Sequence, residues 1–138
     1  VVSAPILKRS NLEVIPTGYM LIHSGRPTSV TYMSNTQPIP SDKSTLAVST
    51  ALAGEMLGQA LIYMDAGSGA EQAIPGKMIR QVRANISLPL IVGGGLTSAN
   101  KVKDAIEAGA DLVVIGNGAQ KNPNLLIEVS KVIKNYNE

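Results

Sequence analysis

No cysteine, phenylalanine or tryptophan occurs in this chain, and histidine occurs once. Without cysteine there are no disulfides and no thiolate metal sites. That composition fits a reducing compartment, and a cytoplasmic location is expected. The one histidine, His23, has no second ligand near it in sequence, so no metal site is expected in this chain. Aromatic residues make up only 3%, all of them tyrosine, so Leu, Ile, Val, Ala and Met must fill any core. No apolar run approaches the length of a membrane span, and no signal-peptide pattern is visible. The net charge of +2 comes from scattered residues without a basic stripe, so nucleic acid is not an expected partner. The chain begins at Val1 rather than Met, and a processed or truncated start is expected.

What is present is enough for one packed domain: 138 residues, 44% of them hydrophobic. The residues from Val1 to Arg9 read as the last turns of a helix, closed by Ser10-Asn11. An apolar stretch from Leu12 through Val14 and Ile15 to Ile22 reads as a strand, although Pro16 removes a donor near its start. From His23 to Ser44 no period is evident, and a long functional loop or a plain solvated connection both fit. Within it, Tyr32 and Met33 are placed to cover an apolar ligand or to pack against the domain. A helix is expected over Thr45–Leu57, with Leu46, Ala47, Thr50, Ala53 and Leu57 on its apolar face and Gly58 ending it.

Three further strand–helix units follow. Ala60–Asp65, Leu88–Val92 and Leu112–Ile115 are short apolar runs. The helices after them begin near Pro75, Ala99 and Pro123. The first carries Met78, Ile79 and Val82. The second ends before Gly109. The third shows an apolar face of Leu125, Leu126, Val129, Val132 and Ile133. Alternating strands and helices with apolar strands predict a parallel sheet covered on both faces. The spacing is that of βα repeats, and about four such units are present where a closed (β/α)8 barrel has eight. The expected fold is therefore α/β, of the (β/α)8 TIM-barrel type.

The chemistry is expected after the strands. Leu90-Ile91-Val92 runs into Gly93-Gly94-Gly95, and Leu112-Val113-Val114-Ile115 runs into Gly116-Asn117-Gly118. Bare backbone lets an anion approach several N–H groups, and barrels of this type often hold phosphate on the loops after their last two strands. Tyr63 and Asp65 share one side of their strand by the period of two, and Ala66-Gly67-Ser68-Gly69-Ala70 follows them. Asp65 is the one carboxylate at a strand end, suited to orient or deprotonate a hydroxyl or to cap the glycine loop. Tyr63 also fits a core position with a satisfied hydroxyl. Ser68 and Asn117 offer side-chain donors to an anion, though both residue types are common in turns for local reasons. Lys43 and Lys121 are loop cations that suit an anionic substrate or simple solvation.

Four stretches occur in order: Ile15-Pro16-Thr17-Gly18-Tyr19, Tyr63-Met64-Asp65-Ala66-Gly67-Ser68-Gly69-Ala70, Ile91-Val92-Gly93-Gly94-Gly95, and Gly116-Asn117. Together they resemble the geranylgeranylglyceryl phosphate synthase family, which includes the heptaprenylglyceryl phosphate synthases. The segment from Tyr32 to Thr36, with Pro38-Ile39-Pro40 and Asp42-Lys43, resembles its bacterial branch. The resemblance covers nearly the whole chain. It implies a modified TIM barrel that joins a polyprenyl diphosphate, geranylgeranyl being expected, to the C3 hydroxyl of sn-glycerol 1-phosphate with Mg²⁺. By that resemblance Tyr63, Asp65, Ala66, Gly67, Ser68, Gly69, Gly93, Gly94, Gly95, Gly116 and Asn117 hold glycerol 1-phosphate. Tyr63 and Asp65 take the catalytic roles, and Tyr19 belongs to the prenyl groove. The family usually has Glu at the position of Asp65, one methylene longer. Its Mg²⁺-binding acid lies in the other half of the barrel, so residues 1–138 are read as a C-terminal half-domain, expected to be a homo-oligomer and inactive alone. Another phosphate-binding barrel enzyme and an inactive half-barrel remain the alternatives.

Overall fold

Four parallel strands in the order β1-β2-β3-β4 organise the chain: β1 (Thr17–Leu21), β2 (Leu61–Asp65), β3 (Leu90–Gly93) and β4 (Leu112–Val114). A computed structural model describes residues 3–137. The helices are α1 (Ala4–Arg9), α2 (Ser29–Ser34), α3 (Ser44–Met56), α4 (Gly76–Arg83), α5 (Ala99–Glu107), α6 (Asn117–Lys121) and α7 (Asn124–Asn137). The expected first helix is present from Ala4; positions 1 and 2 lie outside the described residues.

The register divides the sheet into two faces. Met20, Met64, Val92 and Val113 form one row. The first three are buried and Val113 packs against the same core. Ile62 and Leu90 flank this row and are also fully buried, beneath Met78, Ile79 and Val82 of α4 and Val102 of α5. Each such side chain contributes roughly 1.5–3 kcal/mol relative to exposure. The neighbouring row, Tyr19, Tyr63, Ile91 and Leu112, lies on the other face, and none of its members is buried. Covering on both faces is therefore not observed. Apolar strands reported burial correctly on the helix face, but composition could not show that the second face stays open. This is the face that points into the lumen in a closed barrel.

Glycine brings α3 close to the sheet. A Cβ at Gly18 would lie 2.7 Å from Ile62 Cδ1, and one at Gly54 would lie 3.0 Å from the same atom and 4.0 Å from Gly18 Cα. With no side chain on either residue, helix and strand meet backbone to backbone. This explains why the buried face of α3 is Ala47 and Ala51, with Val48 and Leu52 packed beside them. The expected face fails at Leu46 and Leu57, which are exposed, and Thr50 donates its hydroxyl to Leu46 O. On α7, Leu125 and Val129 are buried as expected, whereas Leu126 and Ile133 are exposed.

Two other sequence expectations change. Leu12, Val14 and Ile15 are exposed and precede the strand. Pro16 has no N–H to donate, and only its carbonyl joins the sheet, accepting from Ala60 N. The segment His23–Ser44 is not a plain loop. It contains α2, opened by a capping box between Thr28 and Thr31 and closed by Asn35 at φ +49°. Ile39 then returns to the sheet, where His23 N donates to Ile39 O and Ile39 N to Leu21 O. The single bridge Ile22–Ile39 covers β1 only at its end.

At the N-terminal ends of the strands, Arg83 ties the α4–β3 connection together. Its guanidinium donates to Leu88 O, Ile86 O and Asp111 Oδ2, and Asp111 Oδ2 also accepts from Leu90 N. The glycine loops lie at the opposite, C-terminal ends of the strands.

Candidate functional site

β2 delivers Tyr63 and Asp65 to the open face. Asp65 is only 8% exposed, and both carboxylate oxygens are engaged. Oδ1 accepts from Gly67 N at 2.8 Å and Oδ2 accepts from Tyr19 Oη at 2.5 Å. Asp65 thus caps the glycine loop, as one of its two sequence readings expects, and lines the cleft beside it. Tyr19 packs edge-on against Tyr63, with ring centroids 5.3 Å apart and planes at 89°. Burial first, then the charge of Asp65, pushes the Tyr63 hydroxyl up to about 12. Burial and the hydrogen bond to Asp65 push Tyr19 higher still. Both phenols therefore stay protonated donors at neutral pH. Gly93 is required beside them, because a Cβ there would lie 2.5 Å from Tyr63 Oη.

The glycine loops enclose a cleft of about 160 Å³, lined by Tyr63, Asp65, Gly67, Ser68, Gly69 and Ala70 from β2 and its loop. Gly94, Gly95, Leu96 and Thr97 line it from the next loop, and Val114, Gly116, Asn117 and Gly118 from the last. Of the residues expected to form the substrate site, only Ala66 and Gly93 do not line the cleft; they sit directly behind it at the ends of β2 and β3. Among the described residues, none of the N–H groups of Gly94, Gly95, Gly116 and Asn117 donates a hydrogen bond. Four unpartnered donors on loops that line one cleft suit an anion.

Two details correct the sequence reading. Ser68 does not present its donor to the cleft; Ser68 Oγ donates to Asn117 Oδ1 at 3.1 Å. It thereby orients the amide of Asn117 and links the first glycine loop to the start of α6, a helix the sequence did not reveal. Gly95 lines the cleft, but it is the neighbouring loop that excludes a side chain from this position. A Cβ there would lie 2.6 Å from Gln72 O, at φ +69°. Gly95→Val is therefore expected to strike the β2–α4 loop and to lower stability by about 2 kcal/mol or more, measured as the shift of a urea unfolding midpoint.

Several neighbours carried no sequence signal. Thr28 sits over Gly67, where a Cβ would lie 2.5 Å from its hydroxyl. Arg26 Nη2 donates to Gly69 O at 3.0 Å. Lys101 Nζ reaches Gly95 O and Thr97 Oγ1 from α5. Tyr32 and Met33 neither cover the cleft nor pack on the domain, being 87% and 81% exposed. His23 Nδ1 accepts from Gly25 N, a local turn contact. Lys43 pairs with Asp42, and Lys121 lies in the last turn of α6. Among the described residues there is no group of three His, Asp or Glu side chains able to hold a metal ion, and no helix is long and apolar enough to cross a membrane.

A parallel βα array of four strands, with glycine loops after its last strands and a buried carboxylate beside them, defines half of a TIM-barrel-type protein. The PcrB family profile matches residues 4–135, and the chain belongs to that family. It is 50% identical, over its whole length, to the geranylgeranylglyceryl phosphate synthase of Spirosoma linguale, 55% of which it covers. It is 51% identical over 133 residues to that of Chitinophaga pinensis, covering 96% of this chain and 53% of the relative. The chain thus spans about half the length of the curated relatives it matches. The crystal structure of (S)-3-O-geranylgeranylglyceryl phosphate synthase from Thermoplasma acidophilum, in complex with its substrate sn-glycerol-1-phosphate, superposes with a TM-score of 0.89. The identity is 31%, and the match covers 97% of this chain and 55% of that one. The enzyme from Thermoplasma volcanium gives a TM-score of 0.85 at 32% identity, over 96% of this chain and 53% of its own.

Proposed function

We propose that this chain supplies the glycerol 1-phosphate half of a prenyltransferase barrel that makes an ether-lipid precursor. The observation that carries the reading is the set of four unpartnered N–H groups on residues that line the cleft with Asp65. The phosphate rests on Gly94, Gly95, Gly116 and Asn117, and the glycerol extends toward Tyr63 and Asp65. The C3 oxygen forms a bond to C1 of the prenyl chain, expected to be geranylgeranyl. The C1–O bond to diphosphate breaks, and its electron pair leaves with the diphosphate. The hydroxyl proton passes to the Asp65 carboxylate, which Gly67 N–H and Tyr19 Oη hold in place. Tyr63 bears on the glycerol as a neutral hydroxyl, and Tyr19 adjoins the lumen where the chain of the donor lies.

The Mg²⁺ that the family resemblance implies does not fit these residues. Asp65 is the one carboxylate in the cleft, and no group of three acidic or histidine side chains able to hold a metal ion stands among the described residues. The residues that hold the ion belong to the other half of the barrel. The other half of the barrel completes the domain in the same reading, which also places the enzyme in the cytoplasm as a homo-oligomer.

Gly116 offers the direct test. It lines the cleft, and a Cβ there meets nothing within 4 Å. Gly116→Val leaves the packing alone but puts a branched side chain at the anion. The N–H itself remains, but a side chain that displaces the phosphate from it forfeits a charge-assisted hydrogen bond worth roughly 1.5–3 kcal/mol, so calorimetry is expected to read at least about tenfold weaker binding of sn-glycerol 1-phosphate. Equal affinity in the variant places the anion elsewhere.

A further inference from the structure

We propose that Arg26 is a movable cation of the anion cleft, held off it by Glu71 until a phosphate ester arrives. The inference rests on the reading of the cleft given above and adds to it a charge that the cleft itself lacks. The lining residues include one anion, Asp65, and no lysine, arginine or histidine. A phosphate monoester is strongly anionic at neutral pH, and neutral N–H donors alone leave that charge without a counterion. Arg26 stands at the rim. Its Nη2 donates to Gly69 O at 3.0 Å and would lie 4.0 Å from a Cβ at Gly69. From the same point Asn117 Nδ2 is 3.7 Å away. A cationic donor and the amide oriented by Ser68 therefore flank one position on the wall of the cleft.

The present partner of Arg26 is weak. Arg26 Nη1 lies 3.4 Å from Glu71 Oε1, and both side chains are more than half exposed. An ion pair so exposed contributes little to stability, so a phosphate competes for the guanidinium readily. Arginine suits the transfer because its planar fork grips two phosphate oxygens at once. The arm itself is carried by the turn that precedes α2, whose capping residue Thr28 rests on Gly67. Arg26 is thus fixed at its base to the same glycine loop that its head group overhangs.

The two partners of the ion pair make opposite predictions. Titration of the 138-residue chain with sn-glycerol 1-phosphate, and separately with inorganic phosphate, is expected to show binding by the unsubstituted protein. Arg26→Gln is expected to weaken both ligands by roughly tenfold or more and to leave binding of uncharged glycerol as it was. Glu71→Gln, which frees the guanidinium, is expected to tighten both by about twofold to threefold. A merely structural bridge gives changes of the same sign in the two variants, and that outcome overturns the inference. So does unchanged affinity in Arg26→Gln, with the cleft reading intact. Failure of the unsubstituted chain to bind either phosphate overturns the cleft reading and this inference together.

Discussion

Asp65→Asn, made in this chain joined to the N-terminal half of the Spirosoma linguale relative, is expected to reduce turnover about a hundredfold to ten-thousandfold. The affinity for sn-glycerol 1-phosphate should barely move. The separation follows from geometry. The phosphate donors proposed above belong to Gly94, Gly95, Gly116 and Asn117, whereas Asp65 accepts from Gly67 N–H and Tyr19 Oη. In the variant, the amide oxygen can still accept from Gly67, and the Tyr19 hydroxyl can rotate to accept from the new NH₂. The loop is therefore kept, while the proton acceptor is lost. Steady-state kinetics with saturating glycerol 1-phosphate, beside calorimetric binding, make the comparison. Turnover equal to the unsubstituted protein would remove the base role from Asp65.

The second large effect is a complete absence of product from the 138-residue chain alone. Tyr19 is 48% exposed, and Leu112 and Val114 at the β4 edge are exposed as well. Apolar surface left in water costs roughly 25 cal/mol per Å², and the strand edges leave N–H and C=O groups without ladder partners. The open row is also the wall against which a prenyl chain would lie, and here it has no opposite wall. No acidic cluster among the described residues can manage a diphosphate through a divalent ion. The assay uses labelled glycerol 1-phosphate, geranylgeranyl diphosphate and Mg²⁺. Product from the chain alone refutes the need for the other half; product restored by adding the relative's N-terminal half supports it.

Much of this arrangement was visible in the residues, and the rest was hidden for identifiable reasons. The βα alternation, the glycine loops and the pair Tyr63–Asp65 follow from local patterns, because strand periodicity and bare backbone act over a few residues. Tyr19 was visible as an aromatic at a strand, but its bond to Asp65 depends on register. Register pairs Tyr19 with Tyr63 and Leu21 with Asp65, and nothing in either strand alone sets that alignment. Arg26 and Thr28 were concealed for a related reason: their partners, Gly69 and Gly67, lie about forty residues away. The face of α3 is not legible in the sequence because alanine and glycine, weak signals of burial, form the contact while Leu46 and Leu57 remain outside. Ser68 and Asn117 were recognised singly, but their bond to each other became apparent only once the two loops were adjacent.

The contact between Gly18 and Gly54 sets a dimension as well as a packing density. Tyr19 follows Gly18 directly, and its phenol spans the sheet to a carboxylate 2.5 Å away. How far that phenol reaches is gauged by how deeply the strand is seated against α3, on the side of the sheet remote from the cleft. A hydrogen bond weakens over a few tenths of an ångström, whereas one methyl group between helix and strand would act as a shim several times thicker. The alignment of the acid–phenol pair is therefore calibrated by two missing side chains on a helix and strand back, at a place no substrate touches.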